Sequence, residues 1–224
     1  MIKACIFDLD GTLLDTVESI RYYLNSTLER YSVPGIDSEK TKVFVGRGAY
    51  NLVKTALADA GVDIGCERGA QLAAKICREY TEFYDTDPGY LTVPYDGIPE
   101  AIAALYSAGI KLAVLSNKPD RTVRELVEMN FADKFVIVQG AREGIALKPD
   151  PAAAEQICRE LGVSADEVAY FGDTGTDMQT GKNFGAGYNV GVLWGFRSRE
   201  ELVASGAQYT LSHPEKIVPL VLGD

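Results

Sequence analysis

Asp8 and Asp10 stand two residues apart at the end of a short apolar run, Ala4-Cys5-Ile6-Phe7. In an extended chain such residues point the same way, while Leu9 between them turns to the core. Two carboxylates this close repel each other unless a cation lies between them or one holds a proton. A second pair, Asp173 and Asp177, follows another apolar run, Val168-Ala169-Tyr170-Phe171. By itself that pair also reads as an N-cap with a first-turn acid, which helices favour. Taken with the first pair, it brings four aspartates to one rim of a sheet. Oxygen-only ligands of this sort suit Mg²⁺.

Two weaker features join them. Ser116-Asn117 follows Val114-Leu115 at a strand end. A hydroxyl and an amide there can bind phosphate oxygens with backbone N–H groups, or simply cap a helix. Lys148 precedes Pro149 at the mouth of a helix. A lone lysine is usually solvated, but an acidic chain needs positive charge wherever it binds an anion. The chain is acidic: 22 Lys+Arg against 32 Asp+Glu give a formal charge of −10 over 224 residues. Nucleic acid and anionic membrane are therefore unsuitable partners. No Cys-x-x-Cys pair occurs, and the single histidine, His213, lies near the C-terminus. Zinc sites and histidine-based triads are disfavoured accordingly. Asp8-x-Asp10-x-Thr12 opens like a calcium-binding loop, but Leu13 occupies the position that needs glycine.

The elements that must position these residues are legible in the periodicity. Apolar runs at 4–7, 111–115, 135–138, 168–171 and 188–193 read as buried parallel strands. Helical patterns lie between them: Ile98, Ile102 and Leu105, then Leu126 and Val127, then Ile157 and Leu161 closing at Gly162. This alternation predicts a doubly wound α/β sheet. Residues 15–85 break it. Val17, Ile20, Leu24, Leu28 and Tyr31 form one helical face, and two further helical patterns follow, stopped by Gly61 and running to Phe83. An insertion straight after the first strand falls over the side where such sheets bind ligands. The expected layout is an α/β core of residues 1–14 and 86–224, with a helical cap domain of residues 15–85. The linkers fall near Leu14-Asp15 and within Asp85–Tyr95.

The order Asp8-x-Asp10-Gly11-Thr12, Ser116-Asn117, Lys148-Pro149 and Gly172-Asp173-x-x-x-Asp177 resembles the four signature motifs of the haloacid dehalogenase-like superfamily. The helical insert resembles that family's cap. Phe44-Val45-Gly46-Arg47-Gly48-Ala49, Ser116-Asn117-Lys118-Pro119 and Phe171-Gly172-Asp173-Thr174 resemble its phosphoglycolate phosphatase branch. The resemblance implies a Rossmann-like core and an Mg²⁺-dependent phosphomonoester hydrolase. Asp8 would be the nucleophile and Asp10 the acid and base. Lys148 would balance charge. Asp8, Asp10 (through its carbonyl), Asp173 and Asp177 would hold the metal. Thr12, Ser116 and Asn117 would meet substrate, and Arg47 would read a substrate carboxylate, with Lys54 a weaker candidate. It also implies a small phosphorylated metabolite as partner, a monomer or homodimer, and a cytoplasmic location. The alternatives are a phosphosugar mutase, disfavoured because the cap has no histidine, and a phospho-accepting signalling domain, which would leave the cap without a role. A dehalogenase is disfavoured by the acid at Asp10. Free, mostly buried cysteines and no membrane span complete the expectation.

Overall fold

The structure is a computed structural model and describes residues 1–223. Strand β1 (Ala4–Phe7) is followed by a two-residue strand β2 (Leu14–Asp15). Four helices come next: α1 (Val17–Glu29), α2 (Ser38–Phe44), α3 (Ala49–Asp59) and α4 (Glu67–Tyr84). The chain then alternates through β3 (Val93–Pro94), α5 (Ile98–Ser107), β4 (Lys111–Pro119), α6 (Asp120–Phe131), β5 (Ile137–Ala141) and α7 (Ala152–Leu161). It ends with β6 (Val168–Gly172), α8 (Gly175–Phe184), β7 (Tyr188–Val192), α9 (Arg199–Ser205), β8 (Tyr209–Leu211) and α10 (Ile217–Leu222).

Six strands form one parallel sheet in the order β5-β4-β1-β6-β7-β8. The period-2 rule sorts its side chains. Cys5 and Phe7 enter one apolar cluster with α5 and α6, while Ala4 and Ile6 enter a second with α7. Helices thus cover both faces, as the continuous apolar runs require. The first strand lies centrally, with Phe7 in register with Val114 of β4 and Phe171 of β6. The C-terminal ends of β1, β4 and β6 therefore adjoin, and the connections diverge from there. That is the switch point where open α/β sheets bind ligands.

Helices α1 to α4 share their own apolar cluster, built on Leu24, Leu28, Leu57 and Ile76. Its residues come from the single block that breaks the strand–helix alternation. The two crossings into and out of this block pair as an antiparallel ribbon, Leu14 with Pro94 and Asp15 with Val93.

Several expectations need correction. The run at 135–138 is not itself the strand: β5 starts at Ile137, and Val136 is exposed while Phe135 plugs the core. Helix α2 was not expected, because its sequence, Ser38-Glu-Lys-Thr-Lys-Val-Phe44, carries no apolar period; Asp37 caps it by accepting from the Lys40 N–H at 2.8 Å. The edge strand β8 escaped notice because it is only three residues long. Strand β4 runs on past Leu115 to Pro119, so Ser116, Asn117 and Lys118 belong to the strand end. Of the four free cysteines, Cys5 and Cys158 are buried, but Cys66 is exposed. No helix among the described residues is long and apolar enough to cross a membrane.

Phe7 is the keystone of the central strand. Its ring stacks on Phe171 at 4.7 Å and meets Phe135 edge-on at 6.3 Å. Phe7→Ala is expected to cost about 3–5 kcal/mol. A fall in the urea midpoint at unchanged slope would show it, and a neutral result would mean the sheet does not depend on this layer.

Candidate active site

Three of the four aspartates turn their carboxylates to one cluster. Asp8, Asp173 and Asp177 are buried and bring one carboxylate oxygen each within 4.8 Å of one another. Asp10 turns its carboxylate elsewhere: it accepts from the Thr16 hydroxyl at 2.8 Å and lies 3.2 Å from the Lys118 ammonium. Both Asp8 and Asp10 line the same cleft, while Leu9 packs in the core, as alternation requires.

Close backbone approach makes this geometry possible. A Cβ on Gly172 would sit 2.2 Å from the Cβ of Asp177. Gly11 has a φ of +81°, and a Cβ there would lie 2.3 Å from an Asp173 carboxylate oxygen. Helix α8 begins with a reciprocal cap. Thr174 accepts from the Asp177 N–H, and Asp177 accepts from the Thr174 N–H at 3.0 Å and its hydroxyl at 2.5 Å. Thr174 is therefore the N-cap, and Asp177 is the acid of the first turn that completes the capping box while also contacting Lys148.

Lys148 supplies the positive charge. Its Nζ donates to Asp177 Oδ1 at 2.6 Å and stands 2.8 Å from Asp8 Oδ1. The second contact is electrostatic only: it falls outside hydrogen-bond geometry, and Asp8 Oδ1 has no hydrogen-bond donor. Asn117 holds this lysine by its backbone. The amide donates to the Lys148 carbonyl at 3.1 Å and accepts from the Lys148 N–H at 2.9 Å. It also donates to the Gly46 carbonyl at 3.2 Å. The Asn117 side chain is thus engaged within the protein. Ser116 lines the cleft.

Burial is the largest influence on Asp8, and with Asp177 it outweighs Lys148. Its carboxyl is pushed from 3.8 up to about 7. Burial likewise raises Asp173, reinforced by Asp177 and Asp8. Three buried carboxylates served by one lysine leave negative charge uncompensated. Three carboxylates within 4.8 Å of one another form an all-oxygen donor set that fits a hard divalent cation.

Other expected residues fall differently. Thr12 is fully buried, and its hydroxyl donates to Asp173 at 3.3 Å; it positions that acid and does not line the cleft. Arg47 is exposed, and only its neighbours Gly46 and Gly48 line the cleft. The cause is local: Gly46 and Gly48 have φ of +111° and +86°, which turn the chain so that backbone faces inward. Lys54 is exposed as well. The cleft has a free volume of about 50 Å³, with Ile20, Val45, Leu52, Tyr80 and Tyr84 forming the wall opposite the sheet.

Two parts were missed in the sequence. Lys118 is buried against Asp10 and sits 4.1 Å from the centre of the Tyr84 ring. Its signal was the two-residue spacing from Ser116 on the same strand end. The segment after β7 is the other. The Phe196 N–H donates to Asp173 at 2.8 Å, and its ring packs into the helical block. Arg197 then donates to the carbonyls of Lys42 at 2.5 Å, Val43 at 3.0 Å and Val45 at 3.1 Å. A guanidinium on the last carbonyls of α2 satisfies groups that the helix leaves open. Nothing in the local sequence of 194–197 announces that role, because its partners are about 150 residues away.

A doubly wound sheet with buried carboxylates at its switch point, facing a helical block across a cleft, defines a broad class of α/β enzymes. The sequence pattern of the haloacid dehalogenase-like hydrolases matches residues 5–190. The chain belongs to that family. It is 35% identical over 208 residues to a phosphoglycolate phosphatase of Rhodospirillum rubrum, covering 92% of this chain and 86% of that protein. It is 27% identical to an N-acetylmuramic acid 6-phosphate phosphatase of Pseudomonas aeruginosa, over 98% of this chain and 95% of that one. A crystal structure from Lactobacillus delbrueckii subsp. bulgaricus, provisionally assigned as a phosphoglycolate phosphatase, superposes with a TM-score of 0.91 at 32% identity, covering 99% of each chain.

The raised Asp8 carboxyl has a consequence for stability. Folded protein without a cation holds a proton that the unfolded chain releases above 3.8, so its stability falls as pH rises toward and through about 7. Binding of a divalent cation displaces that proton and stabilises more at pH 8 than at pH 5. Thermal melts in EDTA and in excess divalent cation are expected to show both trends. A pH slope identical in Asp8→Asn would remove Asp8 as their source.

Proposed function

We propose that this chain is a phosphomonoester hydrolase working through an aspartyl-phosphate on Asp8, with Mg²⁺ as its cation and 2-phosphoglycolate as the best-matched substrate. One observation carries the reading. Asp8 lies buried at the switch point, its Oδ1 2.8 Å from the Lys148 ammonium, with Asp173 and Asp177 beside it, at the floor of a cleft.

Asp8 attacks phosphorus, and the bond to the ester oxygen breaks. Asp10 delivers its proton to the leaving alkoxide, giving the free alcohol. The same carboxylate then takes a proton from water, which attacks phosphorus and releases Asp8 and inorganic phosphate. Ser116 and the Asn117 backbone hold non-bridging oxygens. Lys148 balances charge on the nucleophile and the transferring group. Thr12 keeps Asp173 in place, and Thr16 orients Asp10. Asp8, the Asp10 carbonyl, Asp173 and Asp177 would hold the Mg²⁺, which when bound screens the attacking carboxylate from the phosphate. Phosphoryl transfer gains mainly from such positioning and charge.

The helical block, residues 15–85, acts as a cap over a core made of 1–14 and 86–224. Closure excludes bulk water and favours a small phosphorylated metabolite. The named relatives support phosphate-ester substrates, and two of the three point to phosphoglycolate. Four free thiols are at home in the cytoplasm. A mutase reading lacks its histidine here, since His213 is exposed near the C-terminus.

The test is steady-state turnover of p-nitrophenyl phosphate and 2-phosphoglycolate with Mg²⁺ and with excess EDTA. Metal-dependent multiple turnover is expected, falling by at least about 10³-fold in Asp8→Asn. Labelling that stalls at one phosphate per chain would favour a signalling domain. Full activity of Asp8→Asn would end the proposal.

A further inference from the structure

We propose that Lys118 binds a second anionic group on the substrate, a carboxylate one or two carbons from the phosphate ester, and so selects carboxylated phosphoesters over neutral ones. The inference rests on the phosphomonoester reading and assigns its specificity to one residue.

The charged side chains lining the cleft are Asp8, Asp10, Lys118 and Lys148. Lys148 is committed to Asp8 and Asp177. Lys118 is the remaining cation, and its pairing is loose. Its contacts to the two Asp10 oxygens are 3.2 and 3.4 Å. Charge-assisted contacts usually close to about 2.7–2.9 Å. Asp10 takes its short bond from Thr16 instead, at 2.8 Å. An ammonium has three protons. Asp10 engages one side of it and the Tyr84 ring another, which leaves donor capacity for a group entering the cleft.

Position and surroundings agree. Lys118 stands two residues beyond Ser116 at the irregular end of β4, where its N–H donates to the Ser116 hydroxyl at 3.3 Å, so one compact molecule reaches both. The opposite wall offers Ile20, Val45, Ala49 and Leu52. Those side chains leave the hydroxyls of a bulky neutral polyol without partners, which is costly. A short methylene between two anions suits them. A cation in such low-dielectric surroundings gains strongly from a full counter-charge. Arg47 and Lys54 stand outside the cleft and cannot compete for the role.

The experiment measures affinity by calorimetry in the Asp8→Asn background with Mg²⁺, for 2-phosphoglycolate and for its neutral amide. The acid is expected to bind tighter. Adding Lys118→Met is expected to lower the acid-to-amide affinity ratio by about 30-fold or more, the scale for removing one partner of a buried charge pair. Lys118→Arg is expected to retain much of the ratio. Equal losses for both ligands, as from a residue that only braces Asp10 and Tyr84, overturn the inference. So does the absence of 2-phosphoglycolate binding in Asp8→Asn. If Lys118→Met does not fold, the parent comparison decides: equal affinity for acid and amide overturns it. Wild-type turnover of p-nitrophenyl phosphate reports separately on the hydrolase reading, so the two can fail independently.

Discussion

A single ammonium between two buried carboxylates governs this site. Lys148 reaches Asp8 and Asp177 at once with its side chain only 2% exposed. Removing three ionisable groups from water is expensive, and attraction repays it only when geometry and hydrogen bonding are good. The fold provides that geometry from four separate segments. The end of β1 carries Asp8, the loop before α7 carries Lys148, and the turn from β6 into α8 carries Asp173 and Asp177. Asn117, at the end of β4, holds the lysine backbone in place. With Asp173 added, negative charge still exceeds positive, and the imbalance leaves a place for a cation.

A second layer ties that arrangement to the helical block. Phe196 donates its N–H to Asp173 while its ring packs among α1–α4, and Arg197 clasps the end of α2. Asn117 reaches from beneath Lys148 to the Gly46 carbonyl. The acidic cluster and the cleft's far wall therefore share hydrogen-bonded neighbours on both sides. Thr12 fits the same scheme, buried behind Asp173 with its carbonyl accepting from the Trp194 indole at 3.0 Å.

Much of this was legible in the linear chain, and the pattern of what was not has a physical basis. The buried strands at 4–7 and 168–171 are continuous apolar runs ending in acids, so periodicity and chemistry point together. The helices of 15–85 announced themselves through one-sided apolar spacing. Helix α2 did not, because it is held by a cap and by Arg197 rather than by an apolar stripe. The strand at 135–138 was misplaced because Phe135 is apolar for packing beside the sheet, not for pairing within it. Arg47 was drawn into the site on residue type alone, and two left-handed glycines beside it turn the backbone inward instead. Lys118, quoted only within the Ser116-Asn117-Lys118-Pro119 stretch, was given no role because its partner Asp10 lies 108 residues away in the chain.

The amino-acid order by itself determined which side chains could do chemistry and at which strand ends they sit, since alternation and caps are local rules of a few residues' range. It determined the class of sheet and the helical interruption for the same reason. Only the tertiary structure decided which acids cluster with Lys148, that the Asp10 carboxylate faces Lys118 instead, and that Arg197 reaches α2. Those choices depend on contacts across 30 to 160 residues, and on close packing at glycines where an added Cβ would collide with a neighbour, which no spacing rule encodes.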